Sequence, residues 1–282
     1  VNRARHGANG TRNPPQLNQA KSGGTKSRLA LMNPYLVAPI VFACIFAATL
    51  LGMRLNAALP EHHLNADTKD AVRVGMGLVA TMAALILGLL VASAKGSYDT
   101  EKSEVTQMAA KIAFLDRVLF NYGSETHPAR QVLRQAVEGA IARIWAEATI
   151  GHGPADPGSA WSEALPKAIQ KLAPQNDAQS AFKSQAAVVT TDLGQMRWLL
   201  FEQTGTSISM PLLIVVVAWL AIIFGSVGLF APPNPTAIGA LMLAALSVAG
   251  AIFLILELDQ PFGGLIQISN QPMLNALSHL VN

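Results

Sequence analysis

Residues 231–236 read Ala231-Pro232-Pro233-Asn234-Pro235-Thr236 and stand near the centre of 54 residues, between Glu202 and Glu257, that carry no charged side chain. Three prolines within four positions cannot continue a helix, because each lacks an N–H and its ring clashes with the preceding turn. The apolar runs on either side are each about 20 residues long, enough to cross a bilayer core at 1.5 Å per residue. The stretch therefore reads as two membrane spans, near residues 210–230 and 236–257, joined by a tight turn.

Working outward, the same absence of charge recurs between Arg28 and Arg54 and between Arg73 and Lys95. Each gap holds one further span, near 35–54 and 73–94, which makes four. These spans explain the composition: the 282 residues are 51% hydrophobic and only 13% charged, about half the charged share of an ordinary soluble domain. That balance excludes a purely soluble globule and a disordered chain. The single Cys44 excludes a disulfide scaffold, and Gly and Pro without a period exclude a collagen-like chain.

Orientation follows from where Lys and Arg collect, since cytoplasmic segments hold the excess. Residues 95–202 carry eleven of them, the 54–73 loop three and the Pro-rich turn none. The middle segment is therefore expected in the cytoplasm, with Lys95, Lys102 and Arg197 nearest the membrane, and both termini on the same side. The basic stretch 1–28 agrees, and the sequence pI near 9.1 records this bias rather than an acidic partner. Residues 1–31 are polar and without periodicity, and are read as a disordered tail. Met32-Asn33-Pro34 is the candidate natural start, which would leave that tail untranslated. No cleavable signal peptide is recognisable.

From Lys95 the second span continues without a breaker and becomes one-sided. Tyr98, Val105, Met108, Ile112, Leu115, Leu119 and Tyr122 form a heptad seam that stops at Gly123. A helix from about Pro128 to Thr149 follows, then a loop at Gly151–Ser159 and a short helix from Trp161 to Leu172. A last helix, about 177 to 203, repeats the seam through Phe182, Ala186, Val189, Leu193, Met196 and Leu200. Two such seams can pack antiparallel as a coiled-coil-like stalk or can join subunits. No period-two alternation persists anywhere. The expected fold is all-α: a first helix pair with a short periplasmic loop (32–94), a helical bundle (95–205), a second pair (206–259) and a C-terminal tail (260–282).

Two groups of residues are candidates for function. Gly77, Thr81, Ala84, Gly88, Ala92 and Gly96 fall on one face of the second span, and such residues allow backbones to approach closely in lipid. That face is read either as packing against a neighbouring span or as the lining of a narrow pore. Glu257 and Asp259 close the fourth span at its cytoplasmic mouth. Carboxylates there are costly and sit poorly at a helix C-terminus, so they are expected either to pair with Arg117 or Arg197 or to serve a pore mouth. Pro60-Glu61-His62-His63-Leu64 with Asp67 and Asp70 offers metal-binding residue types without a helical i, i+4 pair, and no metal site is assigned. No nucleophile–base constellation, P-loop, dinucleotide fingerprint or nucleic-acid signature is present. The sequence is read as a non-enzyme without a cofactor.

Several stretches carry a resemblance. Gly88-Leu89-Leu90-Val91-Ala92-Ser93-Ala94-Lys95-Gly96-Ser97-Tyr98-Asp99, Leu115-Asp116-Arg117, Leu200-Phe201-Glu202-Gln203, Gly228-Leu229-Phe230-Ala231-Pro232 and Leu256-Glu257-Leu258-Asp259-Gln260-Pro261-Phe262 resemble the bestrophin-like family of bacterial integral membrane proteins. The likeness covers residues 32–282. It implies an inner-membrane homo-oligomer in contact with the lipid bilayer, conducting small inorganic ions, anions by analogy with bestrophins. The second span departs from bestrophins in lacking Phe, Tyr and Trp, and Gln260 stands where the family pattern has a basic residue. A non-conducting scaffold or sensor whose cytoplasmic bundle binds a partner is the second reading.

Overall fold

The computed structural model describes residues 33–60, 66–147, 161–203 and 208–280. The tail 1–31, the Glu61–Leu64 loop with its two histidines and the Gly151–Ser159 loop lie outside them. All described secondary structure is helical, and four helices are long and apolar enough to cross a membrane.

Helix α1 spans Pro34–Ala58. Asn33 caps it by accepting the Tyr35 N–H at 3.0 Å, Pro34 occupies the first turn where its missing N–H costs nothing, and the helix ends before Pro60. Helix α2 spans Ala66–Tyr122, 57 residues without interruption and about 85 Å long. The change from apolar all round to one-sided thus happens inside a single helix. Helix α3 (His127–Ile141) runs into a π-helical turn, Ala142–Glu147. Helices α4 (Trp161–Gln170) and α5 (Asp177–Gln203) complete the middle segment. The second apolar pair is α6 (Met210–Phe230) and α7 (Pro235–Leu258), the latter begun by the same Asn-Pro device, with Asn234 accepting the Ala237 N–H at 2.7 Å. Helix α8 spans Gln271–His279.

In the apolar layer α1 packs against α6 and α7, and α2 packs against the same two helices from its own side. Val41, Ile45, Leu90, Ala94, Val216, Ile252 and Ile255 form its core. The closest approach is between α1 and α6. A Cβ built on Gly52 would stand 2.1 Å from the Gly225 carbonyl oxygen, and one on Gly228 would stand 2.2 Å from that of Thr49. Two backbones touch there, which only glycine permits. Asn56 donates its side-chain amide to the Leu229 carbonyl near the end of the same contact.

The second core belongs to the bundle. Helices α2 and α5 run antiparallel, with Gln179 Nε2 donating to the Tyr122 carbonyl at 3.0 Å and Lys111 paired with Asp192. From Val105 to Tyr122 the seam of α2 is buried, and Ala186, Val189 and Leu200 of α5 are buried with it. Both seams therefore serve the chain's own core. Gly123, at φ +133°, turns the chain into α3, and the Thr126 hydroxyl reaches back to the Leu119 carbonyl at 2.7 Å. Across this turn Arg130 grips Asp116 with two hydrogen bonds, at 2.6 and 2.9 Å, both side chains being largely buried.

Residues 260–280 depart from the sequence expectation of a tail. Phe262, Ile268, Met273, Ala276 and Leu280 lie in the bundle core. The Trp145 ring meets Phe262 edge-on at 5.7 Å, and its indole N–H donates to the Ile268 carbonyl at 2.8 Å. The helical spacing at 273, 276, 277 and 280 spans only two turns. Its apolar face gains stability from the ready surface of α2 and α3 rather than from its own length.

Candidate functional site

The face of α2 that carries Gly77, Thr81, Ala84, Gly88, Ala92 and Gly96 is exposed along its whole length within the chain. A Cβ placed on Gly77, Gly88 or Gly96 meets nothing within 4 Å. The residues of α2 that do pack on α6 and α7, Ala83, Leu90 and Ala94, are buried and lie on the opposite side of the helix. At 100° per residue the two sets are centred about 150° apart. Among the described residues, no span packs tightly against this face.

Where α7 ends, Glu257 turns the other way, into the chain, while Asp259 caps the helix half-buried. Glu257 is 0% exposed and lies beneath the turn that follows the helix. Its Oε2 accepts the backbone N–H groups of Leu265 at 2.7 Å and Ile266 at 3.4 Å, while Oε1 has no hydrogen-bond partner. Two donors from a following turn offset the unfavourable placing of a negative charge at a helix C-terminus. Gly264 makes the arrangement possible: its φ is +76°, and a Cβ there would stand 2.3 Å from the Glu257 oxygen. Tyr35, edge-on to Phe253 at 5.6 Å, brings its hydroxyl toward the same carboxylate.

Asp259, two residues further, bears on a residue that the sequence did not single out. Glu101 lies six residues beyond Lys95 on α2, past the apolar span, and is only 6% exposed. Its Oε2 is buried without a hydrogen-bond partner. Burial first, then the charges of Glu104 and Asp259, push its carboxyl up to about 7. In sequence Glu101 reads as one of several polar residues on a solvated helix. The Asp259 charge that bears on it lies more than 150 residues away, and nothing local signals that.

The two arginines considered as partners lie apart from one another. Arg117 is sixteen residues beyond Glu101 on a continuous helix, about 24 Å along it, and its guanidinium sits over the Phe120 ring at 5.9 Å. It is out of reach of the end of α7. Arg197 buries its Nε on α5, and the register of Lys111 with Asp192 puts it opposite the turn of α2 near Val105. Glu257 meets backbone amides, where the sequence offered an arginine to it or to Asp259, or a pore mouth. Among the described residues no group of three or more His, Cys, Asp or Glu side chains is placed to hold a metal ion.

A family model, the Bestrophin-like domain, matches residues 43–273. The match begins inside α1, takes in α2 to α7 with the bundle between them, and ends inside α8. No significant match was found among curated proteins or among solved structures. The chain belongs to the Bestrophin-like family.

Proposed function

We propose that this Bestrophin-like membrane protein is the subunit of an oligomeric ion channel, conducting small ions passively, with anions as the favoured class. In this reading α2 faces the central axis through Gly77, Thr81, Ala84, Gly88, Ala92 and Gly96, while the bundle forms a vestibule in the cytoplasm of a bacterial cell. The protein is then an inner-membrane protein with both termini cytoplasmic and no catalytic role. The observation that carries the reading is the open small-residue face. Small residues concentrate where helices or a narrow lumen need room, and here no described helix of the same chain uses that room. A second observation removes an obstacle. Carboxylates lining a mouth repel anions, but Glu257 is turned into its own chain and away from this face.

Purified protein reconstituted in liposomes tests it. Chloride flux well above that of empty liposomes, lost on Gly88→Trp while the oligomer persists in detergent, is expected. A verified oligomer with no flux removes the reading. The scaffold or sensor alternative draws on a different feature. Phe114, Val188 and Leu199 are exposed on the outside of the α2–α5 pair, beside an open groove bordered by Ser103, Gln107, Met196 and Leu199. It is favoured if flux is silent and substitution of these apolar residues alters capture of a defined soluble partner.

A further inference from the structure

The open face of α2 does not stop where the apolar span does. Because Ala66–Tyr122 is one uninterrupted helix, a face keeps its direction while its surroundings change. In the span the packed residues are Ala83, Leu90 and Ala94; in the bundle they include Val105, Ile112, Leu115 and Leu119. At 100° per residue the two packed sets point in nearly the same direction. The side opposite them is therefore one continuous strip, and the small-residue face runs past Gly96 into the bundle.

Charge returns on that continuation, and it is mostly positive. Lys95, Asp99, Lys102 and Arg117 fall within about 60° of the centre of the small-residue face, and all four are exposed. Lys102 and Arg117 lie about 10 Å and about 33 Å beyond Lys95 along the helix. Lys95 is paired with Asp99. Among the described residues Lys102 has no ion pair, and Arg117 lies over the Phe120 ring without a carboxylate partner. The other acids of this part of α2 point elsewhere. Glu101 and Asp116 are buried on the packed side, Asp116 in the grip of Arg130, and Glu104 stands half-buried at the border of the groove beside Met196 and Leu199. At the opposite end of the strip Asp70 pairs with Arg73, which leaves Asp67 without an ion pair among the described residues. The two ends of one face thus carry opposite net charge.

We propose that Lys102, with Arg117 behind it, sets the charge preference of the conducting path at the bundle end of α2, gathering small anions and holding cations off. This rests on the channel reading above, in which α2 faces the axis. In a symmetric assembly every copy repeats Lys102, so one exposed ammonium becomes a ring. A ring of like charge around a narrow passage focuses the field and raises the local concentration of the opposite ion. Lysine suits the task because its ammonium is a hydrated point charge on a flexible stem, which attracts an anion without caging it. Asp99 limits what Lys95 adds to the same ring.

The test uses the full-length protein in planar bilayers under a potassium chloride gradient, where the zero-current potential gives the chloride-to-potassium permeability ratio. Lys102→Glu should lower that ratio roughly tenfold, and Lys102→Arg should preserve it. Asp99→Asn, which releases Lys95, should raise it. Lys171→Glu makes the same charge change at an exposed position in the turn after α4 and should leave the ratio as it is. In about 1 M salt, where the Debye length is about 3 Å, the variants should converge on wild type, which a packing defect would not do. A conducting Lys102→Glu protein with the wild-type ratio, or an equal shift in Lys171→Glu, overturns the proposal and leaves the channel reading standing. A verified wild-type oligomer that conducts nothing removes both. Lys102 is exposed, so a folded variant is expected. Should Lys102→Glu fail to assemble, Asp99→Asn decides, since no rise in the ratio overturns the proposal equally.

Discussion

Two sets of glycines in the apolar layer face opposite circumstances. At the α1–α6 crossing, Gly52 and Gly228 are pressed against backbone atoms of the neighbouring helix, and any side chain would collide. On α2, Gly77, Gly88 and Gly96 open onto empty space. The residue type is the same. The first set is explained within one chain; the second meets no described neighbour, as the subunit contact or lumen proposed above would require. Small residues in a membrane helix mark close approach, but only the fold separates approach to the chain's own helices from approach to something else.

Substitution separates the two sets. Gly228→Leu should have the largest effect, because the obstructing atom is backbone and cannot swing away. A loss of about 3 kcal/mol is expected, read as a lower unfolding midpoint in detergent and a poor yield of monodisperse protein. Normal stability would mean that α1 and α6 do not touch there. Gly264→Ala follows, at about 2 kcal/mol, since it strains a φ of +76° and drives a methyl group into Glu257. Its mark should be faster amide exchange at Leu265 and Ile266, whose N–H groups bind that carboxylate. The smallest effect on folding belongs to Gly88→Leu, within about 0.5 kcal/mol of wild type. Yet this substitution should abolish flux or shift the oligomer on a sizing column. If it destabilises the chain as strongly as Gly228→Leu, the distinction between the two faces falls. Glu101→Gln sharpens the comparison from another side: its stability relative to wild type should improve between about pH 5 and about pH 7, with the glycine contacts untouched.

The spans were legible because lipid imposes a demand that the sequence cannot hide. Every charge must leave about 20 consecutive positions, and helix ends near 34, 58, 230, 235 and 258 follow from prolines and asparagines placed there. The bundle's long helices were legible through their seams, and their partner was settled when both seams became the chain's own core. The C-terminal segment was missed. Met273, Ala276 and Leu280 make too short a stripe to stand out, and their stability comes from a surface built by α2 and α3. Within the candidate site the small-residue face was legible as a pattern, but its exposure was not. Glu101 was hidden altogether, since burial of a helix side chain waits on the arrival of another element.

The sequence by itself determined which segments are apolar, where helices begin and end, and which faces of them are one-sided. These depend on local chemistry: charge, proline and period. Only the tertiary structure decided which glycines are filled by a neighbour, that Glu257 turns inward onto two backbone amides, and that Glu101 is buried. Those outcomes depend on which distant helix arrives at a given face. A side chain's solvent, and with it its charge and its partners, is set by that arrival and not by its neighbours along the chain.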